Sequence, residues 1–86
     1  MDFRLKVFHS VATNLSFTKA SKELFISQPA ISKHIHELEV QYKTSLFDRV
    51  GSHIGLTHAG ELLLSHTKQL LAAYRPDGFR DEPVDG

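Results

Sequence analysis

Ser27-Gln28-Pro29-Ala30-Ile31-Ser32-Lys33-His34-Ile35-His36-Glu37-Leu38-Glu39-Val40-Gln41-Tyr42 is the stretch that decides the fold. Ser27 is suited to cap a helix, its hydroxyl accepting a hydrogen bond from a first-turn amide. Pro29 then falls in the first turn, where a missing N–H removes a donor without a helical partner. Ile31, Ile35, Leu38 and Tyr42 follow at steps of four, three and four, one apolar stripe of an α-helix. Gln28, Ser32, Lys33 and His36 lie off that stripe, clustered toward the helix N-terminus. A greased back and a front carrying donors and acceptors is the layout with which a helix enters a DNA major groove.

Upstream, residues 2–14 repeat the helical period. Leu5, Phe8, Ala12 and Leu15 step three, four and three, and Phe3, Val7 and Val11 widen the stripe. Ser16 caps a second, short helix with Phe17, Ala20 and Leu24 inward and Lys19, Lys22 and Glu23 outward. Only Phe25 and Ile26 separate that helix from the Ser27 cap, so the two helices must cross steeply, as in a helix-turn-helix. Short turns also occur in other helical bundles, and the cue by itself is of moderate specificity.

Downstream, Leu46 and Phe47 precede Val50, Gly51-Ser52-His53, Ile54 and Leu56, which read as a two-stranded ribbon around a glycine-containing turn. The expected fold is therefore mainly α, a winged helix-turn-helix of three helices and a β-hairpin wing over residues 1–57. Thr57 caps a fourth, linker helix over 58–75, with Glu61 near its positive end. Ala59, Leu63, His66, Leu70 and Ala73 form one heptad seam; Leu64, Thr67, Leu71 and Tyr74 form another. One seam can pack on the domain's own core and leave the other for a second copy. Leu63, Leu64, His66, Thr67, Leu70, Leu71 and Tyr74 are accordingly the candidate dimerisation residues. Pro76 and Gly78 oppose continuation, and residues 76–86 are expected to be a flexible acidic tail.

The 86 residues suit one small domain, which buries only about 60% of its unfolded surface and gains from a partner chain. With 41% hydrophobic and 23% charged residues, the composition is that of a globule. There is no cysteine and hence no disulfide framework or thiolate chemistry. No apolar run reaches membrane-spanning length, and the N-terminus is unlike a signal peptide, so a cytoplasmic, nucleoid-associated location is expected. Net charge is formally zero. Residues 75–86 hold Arg75 and Arg80 against Asp77, Asp81, Glu82 and Asp85, leaving the rest of the chain weakly basic.

The chain resembles, from Phe3 to about Tyr74, the N-terminal DNA-binding domain of LysR-type transcriptional regulators. The resemblance is carried by Phe8, Ser16-Phe17-Thr18-Lys19-Ala20, Leu24 and Ser27-Gln28-Pro29-Ala30-Ile31-Ser32. Ile35, Leu38-Glu39, Leu46-Phe47 with Arg49, and Leu56-Thr57 with Ala59-Gly60 complete it. It implies a homodimer, joined through the linker helix, that binds inverted repeats of double-stranded DNA in promoters. It further implies that Gln28, Pro29, Ser32 and Lys33 lie near bases, with Ser16, Thr18, Ser27 and the wing near phosphates. Three departures stand out. The wing offers only Arg49, Ser52 and His53 where the family is usually more basic, and Ser21 replaces a common alanine. The family's effector-sensing domain is not included, so no effector is expected to bind this piece, whether excised or truncated.

Gln28 can pair bidentately with an adenine edge, and the Pro29 ring can pack on a thymine methyl. Ser32 and Lys33, one turn on, can reach a base edge, a guanine or a phosphate. His36 shares their face, and plain surface exposure explains it equally well. Ser16, Thr18 and Ser27 serve as helix caps and, without contradiction, as phosphate donors. Arg49 is placed either to approach the DNA backbone, with His53, or to pair with Glu39. His34 and His36, two apart on a helix, point to different faces, and no donor set completes a metal site. No cofactor is implied, and no phosphate loop, nucleophile elbow or carboxylate pair suggests an enzyme. The alternative function is a truncated dimerisation or interaction module without productive DNA binding.

Overall fold

The computed structural model describes residues 2–73. Four helices and one hairpin follow in the order α1 (Phe3–Asn14), α2 (Phe17–Leu24), α3 (Gln28–Tyr42), β1 (Phe47–Val50), β2 (His53–Leu56) and α4 (His58–Ala73). This is the winged helix-turn-helix that the periodicity leads one to expect. The acidic stretch 76–86 and the candidate dimer residue Tyr74 lie outside the described residues.

Each helix start is capped, three of them at the residues the sequence suggests. Asp2 accepts the Arg4 amide at 2.9 Å and its guanidinium at 3.1 Å, which holds the Asp2 carboxyl below its ordinary value. Ser16, Ser27 and Thr57 accept the amides of Lys19, Ala30 and Gly60 at 3.0, 3.2 and 3.0 Å. The helix ends are less expected. Leu15, Phe25 and Lys43 close α1, α2 and α3 in the left-handed region, at φ 49°, 58° and 56°, where glycine is the usual residue. That geometry turns Leu15 out of the α1 stripe and leaves it exposed.

Val7, Phe8, Val11 and Ala12 of α1, Ala20 of α2, and Ile31, Ile35 and Leu38 of α3 form the core, with Leu46 beneath the wing. Ala20 is fully buried at the crossing of α2 with its neighbours, where a larger side chain would hold the helices apart. Tyr42, the last residue of the expected α3 stripe, is exposed instead. It lies beyond the reach of the α1–α2 platform and lines an apolar hollow with Leu46, Ala59, Leu62 and Leu63. Phe3, expected to widen the α1 stripe, stands edge-on to His34 with ring centroids 5.4 Å apart and remains exposed. Glu23 does not point idly outward. Its carboxylate accepts the Ser10 hydroxyl at 2.6 Å and the Asn14 amide at 2.9 Å, tying α2 to α1.

The wing is an antiparallel hairpin in the register Phe47–Leu56, Asp48–Gly55, Arg49–Ile54 and Val50–His53. His53 therefore belongs to β2, and the turn is Gly51-Ser52 alone, with Gly51 at φ 64° in the position where two-residue hairpins need it. Two contacts fix the wing to the helices. Phe47 packs against Phe8 and Phe17 with ring centroids 5.4 and 6.0 Å away, and Glu39 of α3 accepts the Leu46 amide at 2.8 Å.

Helix α4 lies against α1 and β2. Gly60, Leu64 and Thr67 form its inner side; Thr67 is fully buried and its hydroxyl donates to the Leu64 carbonyl at 2.9 Å. Of the candidate dimerisation residues, Thr67 is thus enclosed by its own chain, and Leu64, like Leu63, packs on the core. The outward residues are Leu62, His66 and Leu70.

Candidate nucleic-acid interface

The N-terminal ends of α2 and α3 open into one groove of about 360 Å³, closed on its far side by the wing. Its polar lining is Ser16 and Thr18 from α2, Gln28 and Ser32 from α3, and Arg49, Ser52 and His53 from the hairpin. Six residues singled out from sequence at separations of up to 37 positions thus meet at one surface: Ser16, Thr18, Gln28, Ser32, Arg49 and His53. The reason is local. The left-handed turn at Phe25 and the Ser27 cap set α3 across α2, and the Glu39 clamp with the Phe47 anchor folds the hairpin back beside both.

Gln28, Pro29, Ser32, Lys33 and His36 are all exposed along the outer side of α3, opposite buried Ile31, Ile35 and Leu38. His36 lies in an adjoining recess with Ser32, Glu39, Asp48 and Arg49. Pro29, Lys33 and Ser27 stand outside the groove lining, at the rim formed by the start of α3. Ser16 and Ser27 are occupied as caps, and a capped helix start still presents free first-turn amides and the positive end of the helix dipole. The groove collects two such ends.

The intramolecular alternative for Arg49 is not realised. Glu39 is engaged with the Leu46 amide, and the ion pair that lysine or arginine makes among the described residues is Asp2–Arg4, at 3.1 Å. Arg49 is exposed and lines both the groove and the adjoining recess. No group of three or more potential metal ligands occurs among the described residues, and no described helix is long and apolar enough to cross a membrane. Ser52, which the sequence offers with Arg49 and His53 in the wing, also lines the groove. Leu62 was missed because it lies outside both heptad seams, on the flank of the first.

A steeply crossed helix pair, an exposed polar start to the second helix and an adjacent hairpin define a winged helix-turn-helix domain. The model of the bacterial regulatory helix-turn-helix proteins of the lysR family matches residues 3–61, and the chain belongs to that family. A probable RuBisCO transcriptional regulator of Cyanidium caldarium is 42% identical over 69 residues, covering 80% of this chain and 22% of the relative. Among solved structures, a LysR-family regulator from Eggerthella lenta superposes with a TM-score of 0.76 at 40% identity, over 79% of this chain and 97% of that one. The BenM DNA-binding domain in complex with catB site 1 DNA superposes with a TM-score of 0.78 at 32% identity, over 85% and 82%. The chain spans about a fifth of the length of the curated relatives it matches.

Proposed function

We propose that this chain is the DNA-reading part of a transcriptional regulator, binding an inverted repeat of double-stranded DNA as a homodimer. The observation that carries the reading is the shared groove, in which the exposed N-terminal side of α3 meets the start of α2 and the wing. With α3 in the major groove, Gln28 reads an adenine edge, Pro29 packs on a thymine methyl, and Ser32 and Lys33 extend the contact one turn on. His36 follows along the same side. Ser16, Thr18 and Ser27 hold phosphates through hydroxyls and first-turn amides, and Arg49 and His53 grip the backbone from the wing. Two half-sites require two copies, and α4 offers the face that joins them. Neither an enzymatic reaction nor an effector belongs to this reading, and the nucleoid is where it operates.

Selection from a random duplex library, followed by titration of the enriched duplex and its scrambled counterpart across a salt series, tests the proposal. Enrichment of an inverted repeat is expected, with affinity falling steeply as salt rises, by about 0.9 log unit per log unit of salt for each phosphate contacted. Equal, weak binding to both duplexes would favour the interaction-module alternative.

A further inference from the structure

The open face beside α3 is poor in permanent charge. Lining the groove and its adjoining recess, the fixed cation is Arg49 and the fixed anions are Glu39 and Asp48. No net positive charge results. What remains are two exposed imidazoles, His36 on α3 and His53 on β2, each on a different element and each beside Ser32 and Arg49. Histidine is the side chain whose charge changes within the physiological pH range, and a neighbouring phosphate favours its cationic form.

We propose that DNA binding by this chain is coupled to proton uptake, with His36 and His53 as charge-variable contacts to the phosphate backbone; the inference rests on the DNA-binding reading above. His36 faces Lys33 and Glu39 from its own helix and Asp48 and Arg49 from β1, with Phe17 and Ile54 as apolar walls. His53 faces Arg49 from β1, Ser16 and Thr18 from α2, and Gln28 and Ser32 from α3. Within the protein both signs of charge stand around His36, and an incoming phosphate adds a negative one. Near His53 the one fixed charge is the Arg49 cation, which the same phosphates neutralise. Each imidazole that gains a proton on binding adds a positive charge to a surface lined by more fixed anions than cations. The remaining described histidines are elsewhere: His9 on α1, His34 against Phe3, and His58 and His66 on α4.

The test is a titration of the full 86-residue chain against the enriched duplex and a scrambled duplex at constant ionic strength, from about pH 8 to about pH 5.5. Affinity for both duplexes should rise by about tenfold over that range, because the contacts are to phosphate and not to bases. The double variant His36→Gln/His53→Gln should flatten the profile; both sites are exposed, and circular dichroism checks that the fold is kept. The variant His36→Lys/His53→Arg should bind at about pH 8 as tightly as the wild type does at about pH 5.5. A flat wild-type profile with binding intact overturns the coupling alone, as does a slope that survives in the glutamine variant or no gain at high pH from the cationic one. Absence of binding at every pH removes the DNA-binding reading and the coupling with it.

Discussion

Gln28 is the first residue of α3, directly after the Ser27 cap, exposed and free of any intramolecular side-chain role among the described hydrogen bonds. Replacing it with alanine therefore leaves the fold alone and removes an amide able to pair with a base. Gln28→Ala should cost about 1–3 kcal/mol on the preferred duplex and little on a scrambled one, so that the ratio of the two affinities collapses. Competition binding with single-base variants locates the position that loses preference; an unchanged ratio takes Gln28 out of the readout. Glu23 gives a contrasting case, a charged residue whose role is internal. Hydrogen bonds from Ser10 and then Asn14 hold its carboxyl below the ordinary value. A lowered native value means that the bond stabilises the fold fully above the unfolded value and is lost as pH falls through the folded one. Glu23→Gln should therefore destabilise the domain at neutral pH, and the gap from wild type should close in the acid range below the ordinary carboxylate value. Thermal melts of both chains across pH check this, and a gap that stays constant argues against the link.

At the scale of elements, what was readable in the sequence was whatever rests on period and on helix starts. Ser16, Ser27 and Thr57 announce caps because their hydroxyls have one local job, and Ile31, Ile35 and Leu38 announce a buried side because their spacing has one explanation. The left-handed caps that close the helices were not announced, since Leu15, Phe25 and Lys43 adopt a backbone conformation for which glycine is the signal. Tertiary context holds them there. The same holds for the groove: its residue types were legible one by one, but the Glu39–Leu46 clamp that brings Arg49 and His53 beside Gln28 joins a side chain to a distant amide and has no sequence pattern. Glycine does matter where α4 begins. A Cβ on Gly60 would overlap the Leu46 carbonyl oxygen and come within 2.8 Å of the Leu56 side chain. Gly60→Ala should thus push α4 away from the wing and destabilise the fold by about 1–3 kcal/mol. Denaturant melts measure the loss, and a wild-type midpoint would show that the α4–wing junction yields at no cost.

The whole molecule is small enough that its unused surface has consequences. One side of α4 is committed to its own chain through Gly60, Leu64 and buried Thr67, while Leu62 and Leu70 remain 61% and 39% exposed on the other. Beside them Tyr42, itself 44% exposed, lines the hollow shared by α3 and α4. Leu62, His66 and Leu70 recur at steps of four, so they form a strip along one helix flank and not scattered apolar points. A second copy placed across that strip would bury these side chains and set two α3 helices on opposite half-sites. The proposed dimer therefore makes a joint demand on two measurements. Leu62→Asp/Leu70→Asp places unpaired carboxylates on the strip without touching the core of the single chain, so helicity should persist while the sedimentation coefficient falls to that of a monomer. The same variant should lose the advantage of an inverted repeat over a single half-site, because that advantage comes only from joining two binding events. A variant that sediments as wild type would mean that the copies meet elsewhere. One that becomes monomeric yet still prefers the inverted repeat would instead separate assembly in solution from assembly on DNA.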